Sequence, residues 1–172
     1  MGQIHILKGD ITTAKVDAIV NAANSRMLGG GGVDGAIHRA AGPKLLAECQ
    51  KVAQVNCVRC PTGEARITTA GNLHANYVIH TVGPIYNVDK APREHLKNAY
   101  ENSFKLALEH DCKSIAFPAI SCGVYMYPHQ EACEIALSIA LEYVNRLDIY
   151  FYLFDEPLFD VYEKTYQQLV GQ

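Results

Sequence analysis

The chain has 172 residues, 49% of them hydrophobic and 19% charged, with a formal net charge of −3. That length suits one domain, residues 1–172, around one sizeable core, and the composition is that of an ordinary soluble globule. No lysine or arginine run appears, which excludes a nucleic-acid polymer as the expected partner. No apolar stretch reaches the length of a membrane helix or a signal-peptide core, so a cytoplasmic protein is expected.

In chain order, Ile4 and Ile6 alternate with His5 and Leu7 in a short strand closed by Gly9-Asp10. Asp17 to Ala23 is an apolar run with a polar end, the pattern of a buried strand. A helical pattern runs from Val33 to Ala41, breaks at Gly42-Pro43, and resumes from Lys44 to Ala53 with Pro43 at its start. Arg66–Ala70 and Tyr77–Val82 are β-branched runs bounded by glycines, two strands on a short connection. Leu96, Ala99, Tyr100, Ser103 and Ala107 share one helical face. Ser114 to Ile120 is a strand whose proline marks its exit. Pro128 opens a helix with Ala132, Ile135, Ala136, Ile139 and Tyr143 inward. Asp148–Phe154 is the last strand, and Asp155 caps a final helix with Leu158, Val161, Tyr162, Thr165 and Leu169 inward. Alternating strands and helices predict an α/β fold with a mostly parallel sheet covered on both faces.

Six cysteines, Cys49, Cys57, Cys60, Cys112, Cys122 and Cys133, read as free and mostly buried thiols. Cys57 and Cys60 have the spacing of half a zinc site, but no second pair follows, so no metal is expected.

In parallel sheets ligands bind outside the carboxyl ends of the strands. Asn24 to Gly35, with four consecutive glycines, lies between a strand end and a helix start, where bare amides cradle phosphate. Ser121 to Pro128 occupies the same position after another strand, and Gly9-Asp10-Ile11-Thr12 follows the first. A glycine run alone is usually only a turn. Three such turns on one rim describe a cleft for an extended phosphorylated ligand. Asp34 beside the expected anion is a like charge, which points to chemistry there. Gly30, Gly32 and Gly35 also match the dinucleotide fingerprint, but Asn24 to Leu28 separates them from the strand and Glu48 falls mid-helix, so a dehydrogenase is disfavoured.

These motifs resemble a macrodomain. They are Gly9-Asp10-Ile11-Thr12, Val20-Asn21-Ala22-Ala23-Asn24, the run from Gly29 to Gly42, Cys60-Pro61-Thr62-Gly63-Glu64-Ala65, Ile79-His80-Thr81-Val82-Gly83-Pro84 and Phe117-Pro118-Ala119-Ile120-Ser121. The class is the one that hydrolyses O-acetyl-ADP-ribose and ADP-ribosyl esters on proteins. The match runs from residue 4 to about residue 155, with the motifs in fixed order. It implies a three-layer α/β/α sandwich that binds ADP-ribose, its esters and ADP-ribosylated proteins, and it calls for no cofactor. By matching position Asp10 accepts from the adenine amino group, with the Ile11 amide beside it. Gly32 and Val33 flank the ligand. Ser121, Cys122, Gly123, Val124 and Tyr125 wrap the diphosphate and distal ribose. Asn24 holds a ribose hydroxyl and Asp34 orients or deprotonates the attacking water; the ligand's own phosphate is the other candidate base. A reader module that binds without turnover is the alternative.

His38, one helical turn from Asp34, is expected to pack or cap, and Cys122 is not expected to act as a nucleophile. One position departs from the family pattern. Met126 stands where a glycine closes the loop, so strain at a positive φ and a reshaped ribose site are expected.

Overall fold

The computed structural model describes residues 2–171. In order these form β1 (Ile4–Lys8), a 3-10 turn (Ile11–Thr13), β2 (Ala18–Ala22), α1 (Gly32–Ala41), α2 (Pro43–Gln50), β3 (Ala65–Thr69), β4 (Tyr77–Thr81), α3 (Pro92–Glu109), β5 (Ser114–Phe117), α4 (His129–Tyr143), β6 (Asp148–Leu153) and α5 (Glu156–Val170). The sheet order is β1-β6-β5-β2-β4-β3. Every neighbouring pair is parallel except β3 with β4, which run antiparallel across their short connection.

Alternation along the strands sends side chains to two separate cores. Val20, Ile79, Ile115 and Phe117 face α3, α4 and α5, where Leu96, Tyr100, Phe104, Ile135 and Tyr162 meet them. Ile19, Val78 and Ala116 face the other way, onto Ile37 of α1 and Leu45 and Cys49 of α2, with Ile11 and Val16. The expected α/β/α sandwich follows from strands apolar on both faces. Asp155 caps α5 as its sequence position implies, accepting from the Leu158 amide at 2.9 Å. No helix among the described residues is long and apolar enough to cross a membrane.

Two boundaries differ from expectation by more than one residue. β5 stops at Phe117, three residues before Ile120. Pro118 has no N–H for the ladder, so Ala119 and Ile120 leave the sheet and begin the loop. α2 ends at Gln50 and not at Ala53, with Lys51 as its cap. Because β1, β6, β5, β2 and β4 are parallel, the carboxyl ends of β1, β2, β4 and β5 share one rim.

Candidate active site

On that rim lies a cleft of about 440 Å³. One wall is Ala22, Ala23, Asn24 and Gly30 to Asp34; the other is Gly83, Ala119 to Ser121, and Gly123 to Tyr125. Of the residues singled out from sequence, Asn24, Gly32, Val33, Asp34, Ser121, Gly123, Val124 and Tyr125 therefore meet around one space.

The first wall is an uncapped helix start. α1 begins at Gly32, whose φ of 58° suits glycine, and its N-cap Gly31 has no side chain to satisfy the first-turn amides. Those amides and the helix dipole favour an anion at this end. The cleft lining holds no lysine or arginine.

The second wall is a loop pinned by its own backbone. The Tyr127 amide donates to Ser121 O at 3.0 Å, the Met126 amide to Gly123 O at 3.0 Å, and the Tyr86 amide to Tyr125 O at 2.9 Å. The Ser121 hydroxyl donates to Pro84 O at 2.8 Å, clamping this loop to the exit of β4. A Cβ on Gly83 would collide with Ser121 Oγ, so only glycine lets the two exits meet. Among the described residues the amides of Gly123, Val124 and Tyr125 have no protein acceptor. Cys122 differs from its neighbours: its amide donates to Ala119 O at 3.3 Å and its side chain enters the core. Burial pushes that thiol up to about 12, which removes it as a thiolate near neutral pH.

Met126 does sit at a positive φ, 63°, but its side chain is 65% exposed and lies outside the cleft lining. The departure from the glycine pattern thus brings backbone strain without the narrowing expected of its bulk.

Asp34, 5% exposed, occupies the third position of α1. Its Oδ1 accepts from Asn21 Nδ2 at 2.8 Å and faces His38 Nε2 at 3.5 Å. The histidine expected to pack or cap is thus within ion-pair reach of the carboxylate. Oδ2 meets no donor of the described residues and faces the cleft: a Cβ placed on Gly30 would come within 3.1 Å of it and within 3.3 Å of Asn24 Nδ2. Burial raises the Asp34 pKa above 3.8, opposed by the Asn21 hydrogen bond and by His38.

Asn24 holds its own loop. Its Oδ1 accepts from the amides of Arg26 and Met27 at 3.1 and 3.2 Å, and its Nδ2 donates to Gly29 O at 3.1 Å. One N–H is left to turn toward Asp34 and the cleft.

Asp10 and Ile11 stand elsewhere on the rim. Asp10 Oδ1 accepts from the Thr12 amide and hydroxyl at 2.9 and 2.8 Å, and Ile11 is buried in the core. Neither lines this cleft. They follow β1, three strands from β2, a separation of about 14 Å at the strand ends. A ligand reaching both must be extended.

The residues behind Asp34 were not singled out. Asn21 on β2 and His80 on β4 are partners across the sheet, both fully buried. Asn21 Nδ2 lies 3.2 Å from His80 Nδ1, and His80 Nε2 lies 3.0 Å from Thr68 Oγ1, whose hydroxyl donates to Thr69 O. An amide nitrogen only donates, and the threonine proton is already committed. His80 therefore accepts at Nδ1 and donates from Nε2. Burial lowers its pKa to about 3, so it is neutral. The available signal was one polar residue near the carboxyl end of each of two apolar strands.

Among the described residues no three His, Cys, Asp or Glu side chains gather to hold a metal ion.

Known proteins share this arrangement. The Macro domain family profile matches residues 20–136. A macro domain-containing protein of Vibrio parahaemolyticus is 57% identical over 98% of this chain and 99% of its own length. An O-acetyl-ADP-ribose deacetylase of Escherichia fergusonii is 52% identical over 96% of both. Among solved structures, the Oceanobacillus iheyensis macrodomain with ADP superposes at a TM-score of 0.90 with 43% identity, over 95% of this chain and 90% of that one. The Trypanosoma brucei macrodomain in complex with ADP-ribose gives 0.84 and 43% identity, over 95% and 68%. With a cleft of uncapped amides at the carboxyl rim of a six-stranded sheet, and relatives matched along nearly its whole length, the chain belongs to the macro domain family.

Proposed function

We propose that this chain is a hydrolase of ADP-ribose esters, releasing acetate from O-acetyl-ADP-ribose and ADP-ribose from acidic side chains of proteins. The observation that carries this reading is the half-used carboxylate of Asp34. One oxygen is held from behind by Asn21, and the other is open to the cleft beside Asn24. A carboxylate that served only its helix would not need burial at an anion site.

In this reading the diphosphate sits on the first-turn amides of α1 and the free amides of Gly123, Val124 and Tyr125. The adenine end extends along the rim toward Asp10. Water lies between Asp34 Oδ2 and the ester carbonyl. Its oxygen adds to the acyl carbon while its proton passes to Asp34. The acyl–oxygen bond then breaks, and the freed ribose oxygen takes the proton back. Held water and one general base suffice for an ester, and a raised pKa makes Asp34 a stronger base than a free carboxylate. The 52% identical deacetylase relative supports this reaction class.

The test is acetate release from O-acetyl-ADP-ribose and ADP-ribose release from modified glutamate. Wild type is expected to turn over, with kcat/KM rising with pH through a limb above 3.8, because the base is deprotonated only above its raised pKa. Asp34→Ala is expected to lose at least about 100-fold in kcat while binding ADP-ribose about fivefold more tightly, since a like charge near the diphosphate is gone. Binding without turnover by wild type would leave a reader module. The best support for that rival is Met126 in place of the family glycine, and the exposure of its side chain outside the cleft lining weakens that support.

A further inference from the structure

The loop between Asn24 and Gly30 has two sides. Its ends line the cleft; its middle, Arg26 and Leu28, lines a separate hollow of about 480 Å³ with Gln54, Cys57 and Arg59. Arg59 is only 9% exposed. Its amide donates to Ser25 O at 2.8 Å and its Nη1 to Arg26 O at 3.1 Å, so it ties the loop down next to Asn24. Its Nε is buried with no acceptor. Neither Arg59 nor Arg26 forms an ion pair among the described residues, and no carboxylate lines the hollow. A guanidinium removed from water without a counter-charge is costly, so the site is incomplete as it stands. Sequence shows no basic cluster; the fold makes one by bringing together residues 33 positions apart.

We propose that this hollow is a carboxylate subsite, taking an acidic side chain that flanks the modified residue of an ADP-ribosylated protein. The inference rests on the hydrolase reading of the cleft. An ester at the distal ribose places the rest of a protein substrate outside the cleft, and the Asn24–Gly30 loop is the wall it must cross. A guanidinium presents a planar fork that matches a carboxylate; that of Arg59 is held by the Arg26 carbonyl, and its backbone amide by the Ser25 carbonyl. The same loop's other flank carries His38 and Arg39 around a second hollow that shares Leu28, again without a carboxylate in its lining. An acidic segment is the complement of both.

The experiment compares two peptides, each bearing ADP-ribose on a central glutamate, one flanked by glutamates and the other by glutamines, with O-acetyl-ADP-ribose as a substrate that has no flank. Wild type is expected to favour the glutamate-flanked peptide by about tenfold in kcat/KM, the scale of one charge-assisted hydrogen-bonded pair. The preference is expected to shrink at high salt. Arg26→Glu, a substitution of an exposed side chain, is expected to abolish the preference and to leave O-acetyl-ADP-ribose turnover within about twofold. Equal kcat/KM for the two peptides in wild type, or a preference retained in Arg26→Glu, overturns the proposal. If the peptides are not hydrolysed, the hydrolase reading fails for them, and Kd from calorimetry decides the subsite. A glutamate-over-glutamine preference lost in Arg26→Glu upholds it, and equal Kd values overturn it.

Discussion

Asn21 has two N–H groups on its side chain, and both are committed, one to Asp34 and one to His80. Its bond to Asp34 Oδ1 fixes the carboxylate rotamer, and on the hydrolase reading that makes it a positioning residue. Asn21→Ala leaves a buried carboxylate and a buried imidazole nitrogen without a donor, an expected loss of about 1–3 kcal/mol in urea unfolding. The Asn21 hydrogen bond lowers the Asp34 pKa, so its removal moves that pKa further up. The acidic limb of kcat/KM is then expected at higher pH than in wild type, a shift that general loosening would not produce. Met126 supports a second prediction at this scale. Met126→Gly relieves a left-handed backbone but adds freedom to the unfolded chain, for a net gain of about 0.5–1 kcal/mol. Thermal melting is expected to rise by about 1–4 °C, with turnover unchanged because the side chain is exposed and does not line the cleft. Sequence pointed to Asp34 and Asn24, which the fold brings to one cleft, and to the positive φ at Met126. It did not show Asn21 or His80, because a polar residue inside an apolar strand reads as strand. Only pairing reveals that two of them face each other.

At the scale of elements, the alternation of strand and helix was legible because the central strands β2, β4 and β5 are buried on both faces and each helix is apolar on one. The antiparallel direction of β3 was implicit in its short connection to β4. The exit of β5 was legible in Pro118; only the expected extension of the strand past it to Ile120 is absent. That end has a consequence for the site: releasing Ala119 and Ile120 from the ladder lets Ser121 turn at φ 67° and reach Pro84 O. The clamp between the exits of β4 and β5 depends on Gly83. Gly83→Ala is expected to push the Ser121 loop outward and weaken ADP-ribose binding by about tenfold or more, because sub-ångström placement of the wall is lost. Calorimetry with ADP-ribose checks it, and an unchanged Kd would show that the clamp does not shape the site.

For the whole molecule, the cleft is assembled from segments that are far apart in the chain, Ala22 to Asp34 on one side and Ala119 to Tyr125 on the other. A ligand that bridges both walls binds only the folded chain. ADP-ribose at 100 times its Kd is therefore expected to add about 2.7 kcal/mol of stability, raising the melting temperature by about 5–11 °C. Differential scanning fluorimetry across a concentration series checks the logarithmic dependence. The charge balance of the chain hid one feature of the whole: an acidic protein of net charge −3 still gathers two arginines behind its glycine loop.

The contact between Asn21 and His80 also bears on how the chain finds its fold. A strand slipped by one residue turns every side chain to the opposite face. For β4 sliding along β2, most such errors exchange one aliphatic for another, since Val78 and Ile79 are both apolar and both fully buried. Hydrophobicity alone discriminates poorly between those alignments. The one mismatch with a large penalty strands an amide and an imidazole in the interior without partners. The pair that steadies Asp34 therefore also selects the correct alignment of the two central strands, and a chain that has mispaired them has no competent site.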